Sequence, residues 1–152
     1  MKKKHIAQLA LALIVLVFGG ALEDMLPHFL GVGFPVLLMS AIYVAPRRHA
    51  ASAVLFAIAA GGCEDSLSSL PFASSVCFFA FAAFVSRTPR IAFAAMAFAH
   101  PLYEAWLWLW RGAADVGVFS RMAVAAPVGL VTAPLVAAAL WWLERRAAIG
   151  EG

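Results

Sequence analysis

Charged residues are scarce in this chain of 152 residues. Asp, Glu, Lys and Arg make up 12% of the sequence, whereas hydrophobic residues make up 64%. An ordinary soluble domain has about 25% charged residues, and a soluble protein of this size has too little interior to bury so much apolar surface. The composition therefore predicts a polytopic membrane protein. The net charge of +3 is not taken as affinity for nucleic acid, because lysine and arginine also set membrane orientation.

Cysteine and catalytic motifs are scarce as well. The two cysteines, Cys63 and Cys77, form no CxxC pair, and no cysteine–histidine spacing indicates a zinc site. We expect both to be small apolar membrane residues, with a disulfide across one hairpin as the alternative. The chain has no nucleophile elbow, phosphate-binding glycine loop or metalloprotease helix. We therefore predict a protein that is not an enzyme and binds no cofactor or metal.

Six apolar runs separated by polar turns are present, and a membrane helix needs about 20 mostly apolar residues. Pro35 lies inside the second run and marks either a kink or a late helix start, because proline removes a backbone donor. The first run also fits a cleaved signal peptide, but we expect it to be retained, since its Gly-Gly and acid pair recur after the third run. The sequence predicts an all-α bundle of six transmembrane helices in a single domain, 1–152, with helices at approximately 6–22, 29–45, 50–65, 72–86, 91–110 and 122–143.

The basic residues are distributed unevenly over the predicted turns. With six spans, nine of the 11 fall on one side and two, Arg111 and Arg121, on the other. Cytoplasmic loops carry the excess of Lys and Arg, so both termini are predicted to be cytoplasmic. Tryptophans lie near both predicted membrane surfaces, as expected of an aromatic belt. The nine residues are Lys2, Lys3, Lys4, Arg47, Arg48, Arg87, Arg90, Arg145 and Arg146.

Acidic residues recur at the opposite, outer side. Glu23, Glu64 and Glu104 are 41 and 40 residues apart, which indicates one hairpin unit used three times. Glu104 lies roughly 21 Å beyond the inner surface at about 1.5 Å per helical residue, inside a hydrocarbon core of about 30 Å. A carboxylate at that depth usually faces protein, water or a partner.

His100 and Glu104 are four residues apart, so they share a helix face and can form a hydrogen bond. The favoured interpretation is a polar pair that stabilises helix packing. The alternatives are a proton relay, a metal site or an anchor for a partner. Trp106, on the same helix, is placed near the outer surface with the acids.

The middle of the chain carries a recognisable pattern. Pro35 leads an apolar helix with Tyr43 near its end, a basic turn follows at 47–48, and the next helix ends in Gly61-Gly62-Cys63-Glu64-Asp65. Over roughly 34–87 this pattern resembles the rod shape-determining protein MreD family. The matching motif positions are Pro35, Gly61 and Asp65. Glu64 departs from the pattern, because the family usually has an apolar residue there.

The resemblance implies a non-enzymatic scaffold of the bacterial inner (plasma) membrane. Members of the family work in the elongation machinery that builds the lateral cell wall, with an MreC-like periplasmic or membrane protein and other elongation proteins. The expected surroundings are the lipid bilayer and these partners, with no nucleic acid. The alternative function is a small membrane transport component, such as the substrate-binding subunit of an energy-coupling transporter. In that case Glu64, His100, Glu104 and Trp106 would line a ligand pocket near the outer side.

Overall fold

The computed structural model describes residues 2–26, 32–67, 73–111 and 117–149. The described residues fold into α-helices, which confirms the predicted all-helical class. In chain order the helices are α1 (Lys2–Met25), α2 (Val36–Val44), α3 (Ala50–Leu67), α4 (Ser74–Val85), α5 (Pro89–Trp110) and α6 (Val118–Ile149).

Two of these helices are long and apolar enough to cross a membrane by length and composition. They are Ala50–Leu67, with a mean hydropathy of 1.3, and Val118–Arg146, with a mean hydropathy of 2.0. In contrast, α2 has 9 residues and α4 has 12. They are about 14 and 18 Å long, well short of a hydrocarbon core of about 30 Å. The structure therefore establishes an all-helical protein with two helices able to span, which is less than the six spans predicted.

The second helix begins later than the predicted 29–45. Residues 32–35 are not helical, and α2 starts at Val36 directly after Pro35. Of the two alternatives for Pro35, the late helix start is the one observed. Residues 27–31 of the predicted run lie outside the described residues. The last helix is longer than the predicted 122–143, because it runs from Val118 to Ile149. Pro127 and Pro134 lie inside it, as in the predicted range, without ending it.

The short helix α2 forms the centre of the bundle. Every residue from Leu37 to Tyr43 is buried, and α2 contacts α1, α3, α4, α5 and α6. Its sequence explains this position, because a helix that is apolar all round has no face suited to water. The longest shared interfaces pair α3 with α4 and α5 with α6.

The described hydrogen bonds define two ends of the bundle. At the first, the Arg87 guanidinium donates to the Ala45 carbonyl at 2.9 Å, and the Tyr43 hydroxyl donates to Glu144 Oε2 at 3.2 Å. These bonds join the turns after α2 and α4 to the end of α6, and we call this the basic end. The opposite end holds Glu23 and Asp65 near the ends of α1 and α3, and we call it the acidic end.

Candidate functional site

Asp65 is a buried carboxylate that caps a neighbouring helix. Its Oδ1 accepts hydrogen bonds from the Ser75 N–H at 2.9 Å and the Ser74 hydroxyl at 3.1 Å, and its Oδ2 lies 3.4 Å from the Val76 N–H. These groups form the first turn of α4, whose backbone N–H groups have no partner within the helix. The residue at the N-cap position, Ala73, has no side-chain oxygen. Asp65 therefore supplies from α3 the cap that α4 lacks.

The serines of this first turn continue the network to α5. The Ser75 and Tyr103 hydroxyls lie 2.6 Å apart, and the Trp106 indole N–H donates to the Ser74 carbonyl at 2.8 Å. Ser74 and Ser75 are fully buried, and Tyr103 is 5% exposed. Phe78 packs against both Tyr103 and Trp106, with ring centroids 5.2 and 6.3 Å away. Helices α3, α4 and α5 are thus joined through one buried polar chain.

Glu23 performs the same task for α2. Its Oε1 accepts a hydrogen bond from the Leu37 N–H at 2.7 Å, in the first turn of that helix. The N-cap residue of α2 is Pro35, which likewise makes no side-chain capping bond. Both short helices therefore begin at residues without a capping group, and a carboxylate from the preceding long helix replaces it. A negative charge is also favoured there by the helix dipole.

Glu64 lies beside Glu23, close enough for the two carboxyl groups to interact directly. The Glu23 Oε2 atom is buried and has no hydrogen-bond donor among the described residues. Two carboxylates in such an arrangement repel each other unless a proton or a cation lies between them. Glu23 and Glu64 are therefore not equivalent, contrary to what the repeat predicts. The capping residues are Glu23 and Asp65, and Glu64 lies next to Glu23.

Gly61 marks the closest approach of α3 to α4. A Cβ atom at this position would lie 2.6 Å from Val76 Cα and 2.7 Å from Val76 N. Both are backbone atoms, so the helices would have to separate to accept a larger residue. At Gly62, one residue on, a Cβ would lie 4.0 Å from Val76 Cγ2, which is an ordinary contact. Small residues allow this close helix packing, and Gly61 brings Asp65 within reach of α4.

The turn before α4 is strained at one residue. Ala73 has φ = 73°, in the left-handed region that residues with a Cβ rarely adopt. This conformation costs about 1–2 kcal/mol for an L-residue. It directs the chain into α4 beneath Asp65, so the capping bonds offset the strain.

The predicted His100–Glu104 pair has a different environment from the one expected. His100 is 2% exposed and packs against α6, where a Cβ on Gly129 would lie 2.9 Å from the His100 Cβ. Its Nδ1 has no hydrogen-bond partner among the described residues, Glu104 included. Glu104 is buried near Arg111 and Arg121, the two basic residues of the acidic end. His100 Nδ1 thus makes no hydrogen bond to Glu104, although both residues lie on α5.

The described residues also bear on the other sites considered from the sequence. Within these ranges no three His, Cys, Asp or Glu side chains converge as metal ligands. Cys63 is half-buried and Cys77 exposed, and both are free thiols, so the disulfide alternative is not observed. One cavity lies at the basic end between α1, α3 and α6, and Glu64, His100, Glu104 and Trp106 do not line it.

Sequence reasoning missed Ser74, Ser75 and Tyr103 as members of the acidic-end network. The available signal was weak. Two serines at the start of an apolar helix indicate a helix N-terminus, but nothing in the sequence joins them to an acid ten residues earlier. Comparison of the chain with known proteins found no matching family model, curated protein or solved structure.

Proposed function

We propose that this chain is a non-enzymatic scaffold of the bacterial inner (plasma) membrane, acting in the elongation machinery that directs lateral cell-wall synthesis and cell shape. The observation that supports this most is the structural role of the three matching motif positions. Pro35 precedes α2, Gly61 lets α3 approach α4, and Asp65 caps α4. All three shape the helix bundle, and the acid that would be the first candidate for chemistry is engaged in backbone hydrogen bonds.

The proposal includes a multi-pass bundle with both termini in the cytoplasm. Large apolar side chains lie on the outside of the bundle, for example Phe93 and Phe119, each 80% exposed. A soluble monomer rarely exposes large apolar patches, whereas a bilayer favours them. Helices α2 and α4 would begin within the depth of the membrane. In lipid every backbone N–H needs an internal partner, and Glu23 and Asp65 provide such partners at both helix starts.

The partner surface in this proposal is the outer face formed by Trp110, Trp106 and Glu64. Trp110 is 44% exposed and packs against Trp106 with ring centroids 5.9 Å apart. Exposed aromatic clusters of this kind are favoured anchors in protein interfaces. A membrane helix or periplasmic segment of an MreC-like protein would dock here, with Glu64 as the polar contact.

Co-purification with an MreC-like partner tests this surface. We expect Trp110→Ala and Glu64→Gln to reduce recovery of the partner. Trp142→Ala is the matched control, because Trp142 is an exposed tryptophan (53%) in the last part of α6. Asp65→Ala is unsuitable, since it uncaps α4. Equal loss in Trp110→Ala and Trp142→Ala would place the partner elsewhere.

Depletion in the native bacterium tests the cellular role. We expect rod-shaped cells to become round as the protein is lost, and wild-type protein to restore the rods. Unchanged cell shape after complete depletion would refute a role in elongation. The transport alternative requires a pocket at the acidic end, and a small ligand that co-purifies and is lost in Glu104→Gln would favour it over the scaffold.

A further inference from the structure

A groove of about 420 Å³ runs along the outside of the bundle near the basic end. It lies between α1, α3 and α6, with the last turn of α2 at its base, and its lining is mostly apolar. Leu9, Leu13 and Leu55 form its rim and are 64, 58 and 65% exposed. The groove is therefore open to the surroundings of the bundle along its length. Its volume falls within the range of about 300–1,000 Å³ typical of ligand sites.

The polar lining of the groove includes Tyr43, Arg48 and Glu144, at the basic end. Tyr43 and Glu144 are joined by the hydrogen bond of 3.2 Å. The neighbouring Arg47 is engaged too, because its guanidinium lies 3.7 Å from the centroid of the Tyr43 ring and donates to the Tyr43 carbonyl at 2.9 Å. Arg48, which is half-buried, makes no hydrogen bond or ion pair with the described residues. Among the described residues that line the apolar groove, Arg48 is thus a cation without a hydrogen bond or ion pair to another described residue.

We propose that this groove binds one acyl chain of an anionic phospholipid, with the lipid phosphate at Arg48. Such a lipid has an apolar chain joined to an anionic phosphate. The groove offers matching features, because its apolar walls lead to the Arg48 cation. Basic pockets between membrane helices on the cytoplasmic side are known to bind anionic headgroups. The inference rests on the membrane placement in the proposed function, and it does not depend on the role in cell elongation.

The dimensions favour an acyl chain over a helix of another protein. The groove is lined by side chains of α1, α3 and α6, whereas an α-helix with its side chains is about 10 Å wide. An extended hydrocarbon chain is far narrower and can follow the leucine-lined walls while its phosphate stays at Arg48.

Native mass spectrometry of the full chain in detergent tests the inference. The protein is stripped of lipid and titrated with phosphatidylglycerol or phosphatidylcholine of the same acyl chains. Arg48→Gln removes the cation, and Arg90→Gln removes an exposed arginine outside the groove as its control. Ala59→Phe fills the groove, and Ala94→Phe adds the same bulk to an exposed position of α5.

We expect one phosphatidylglycerol to bind more tightly than phosphatidylcholine. Arg48→Gln should weaken phosphatidylglycerol binding about fivefold, the effect of one basic residue on an anionic lipid. It should weaken phosphatidylcholine binding less, because the choline ammonium offsets the charge of that lipid's phosphate. Ala59→Phe should weaken both lipids, and the two control variants neither. Ala59 is exposed, and Arg48 makes no hydrogen bond or ion pair within the described part of the chain. Both variants should therefore keep the wild-type circular dichroism spectrum.

Three results would overturn the inference. Equal affinity for the two lipids would remove the role of charge, and equal behaviour of Arg48→Gln and Arg90→Gln would remove the role of Arg48. A dimer that Ala59→Phe dissociates would show that a second copy of the chain occupies the groove. Each outcome leaves the scaffold proposal untouched, because cell shape and partner recovery are measured separately.

Discussion

Removal of the Asp65 carboxylate should destabilise the bundle more than removal of any exposed acid. In Asp65→Ala, the Ser75 and Val76 N–H groups and the Ser74 hydroxyl lose their acceptor. They lie at a buried helix start, where water cannot replace it. A hydrogen bond to a charged group contributes about 1.5–3 kcal/mol, and the 3.4 Å contact to Val76 adds less. We therefore expect the free energy of unfolding to fall by about 3 kcal/mol.

Asp65→Asn separates the loss of an acceptor from the loss of the charge. An asparagine keeps Oδ1 for the Ser75 N–H and the Ser74 hydroxyl but turns its amide N–H₂ toward the Val76 N–H. Its expected cost is about 1–2 kcal/mol, comparable to the loss of an N-cap. Asp24→Ala is the matched control, since Asp24 is an exposed acid at the same end of the bundle. Exposed substitutions usually change stability by no more than about 0.5 kcal/mol.

Denaturant unfolding in detergent micelles, followed by circular dichroism, measures these differences. Hydrogen exchange locates them, because the amides of Ser75 and Val76 should lose protection before those in the middle of α4. Asp24→Ala should be the most stable of the three variants, Asp65→Asn should be intermediate, and Asp65→Ala should be the least stable. If Asp65→Ala unfolds at the same denaturant concentration as Asp24→Ala, the cross-helix cap has no energetic role and our reasoning is wrong.

Three further predictions follow from the same end of the bundle. Gly61→Ala should lower the free energy of unfolding by about 1–3 kcal/mol through overpacking, whereas Gly62→Ala should leave it unchanged or raise it by about 0.5–1 kcal/mol. Denaturant unfolding of both variants checks this, and equal effects would contradict the close approach at Gly61. Ala73→Gly should stabilise the protein by about 1 kcal/mol by relieving the positive φ, seen as a higher midpoint, and a lower midpoint would refute the strain. Glu23→Gln should be neutral or stabilising, because its amide can donate to Glu64. Glu23→Ala should destabilise the protein by about 1–2 kcal/mol through loss of the cap. Equal midpoints of denaturant unfolding for the two variants would count against this.

The existence of the helices and the gathering of the acids at one end could be predicted from the sequence. Hydrophobic runs and the turns between them locate helices, and the charges separate the two ends. The late start of α2 was foreseen as one of two alternatives for Pro35. The central position of this 9-residue helix could not be predicted, because an apolar run does not reveal whether its neighbours will be lipid or protein.

The caps could not be predicted for a different physical reason. Sequence rules for capping are local, since an N-cap side chain bonds to a backbone N–H two or three residues later. Here Glu23 reaches Leu37 over 14 residues and Asp65 reaches Ser75 over 10. Such bonds depend on how the long helices pack against the short ones. The close contact of His100 with Gly129 of α6 depends on helix packing in the same way.

The two acid pairs nevertheless show why the repeat seen in the sequence is imperfect. In Glu23-Asp24 the first acid caps the next helix, whereas in Glu64-Asp65 the second acid does. A shift of one residue turns a side chain by about 100° around a helix. Helices α1 and α3 therefore present different faces to the short helices they cap. The same rotation means that Glu64 caps no helix and lies beside Glu23, so α1 and α3 meet through this pair of acids.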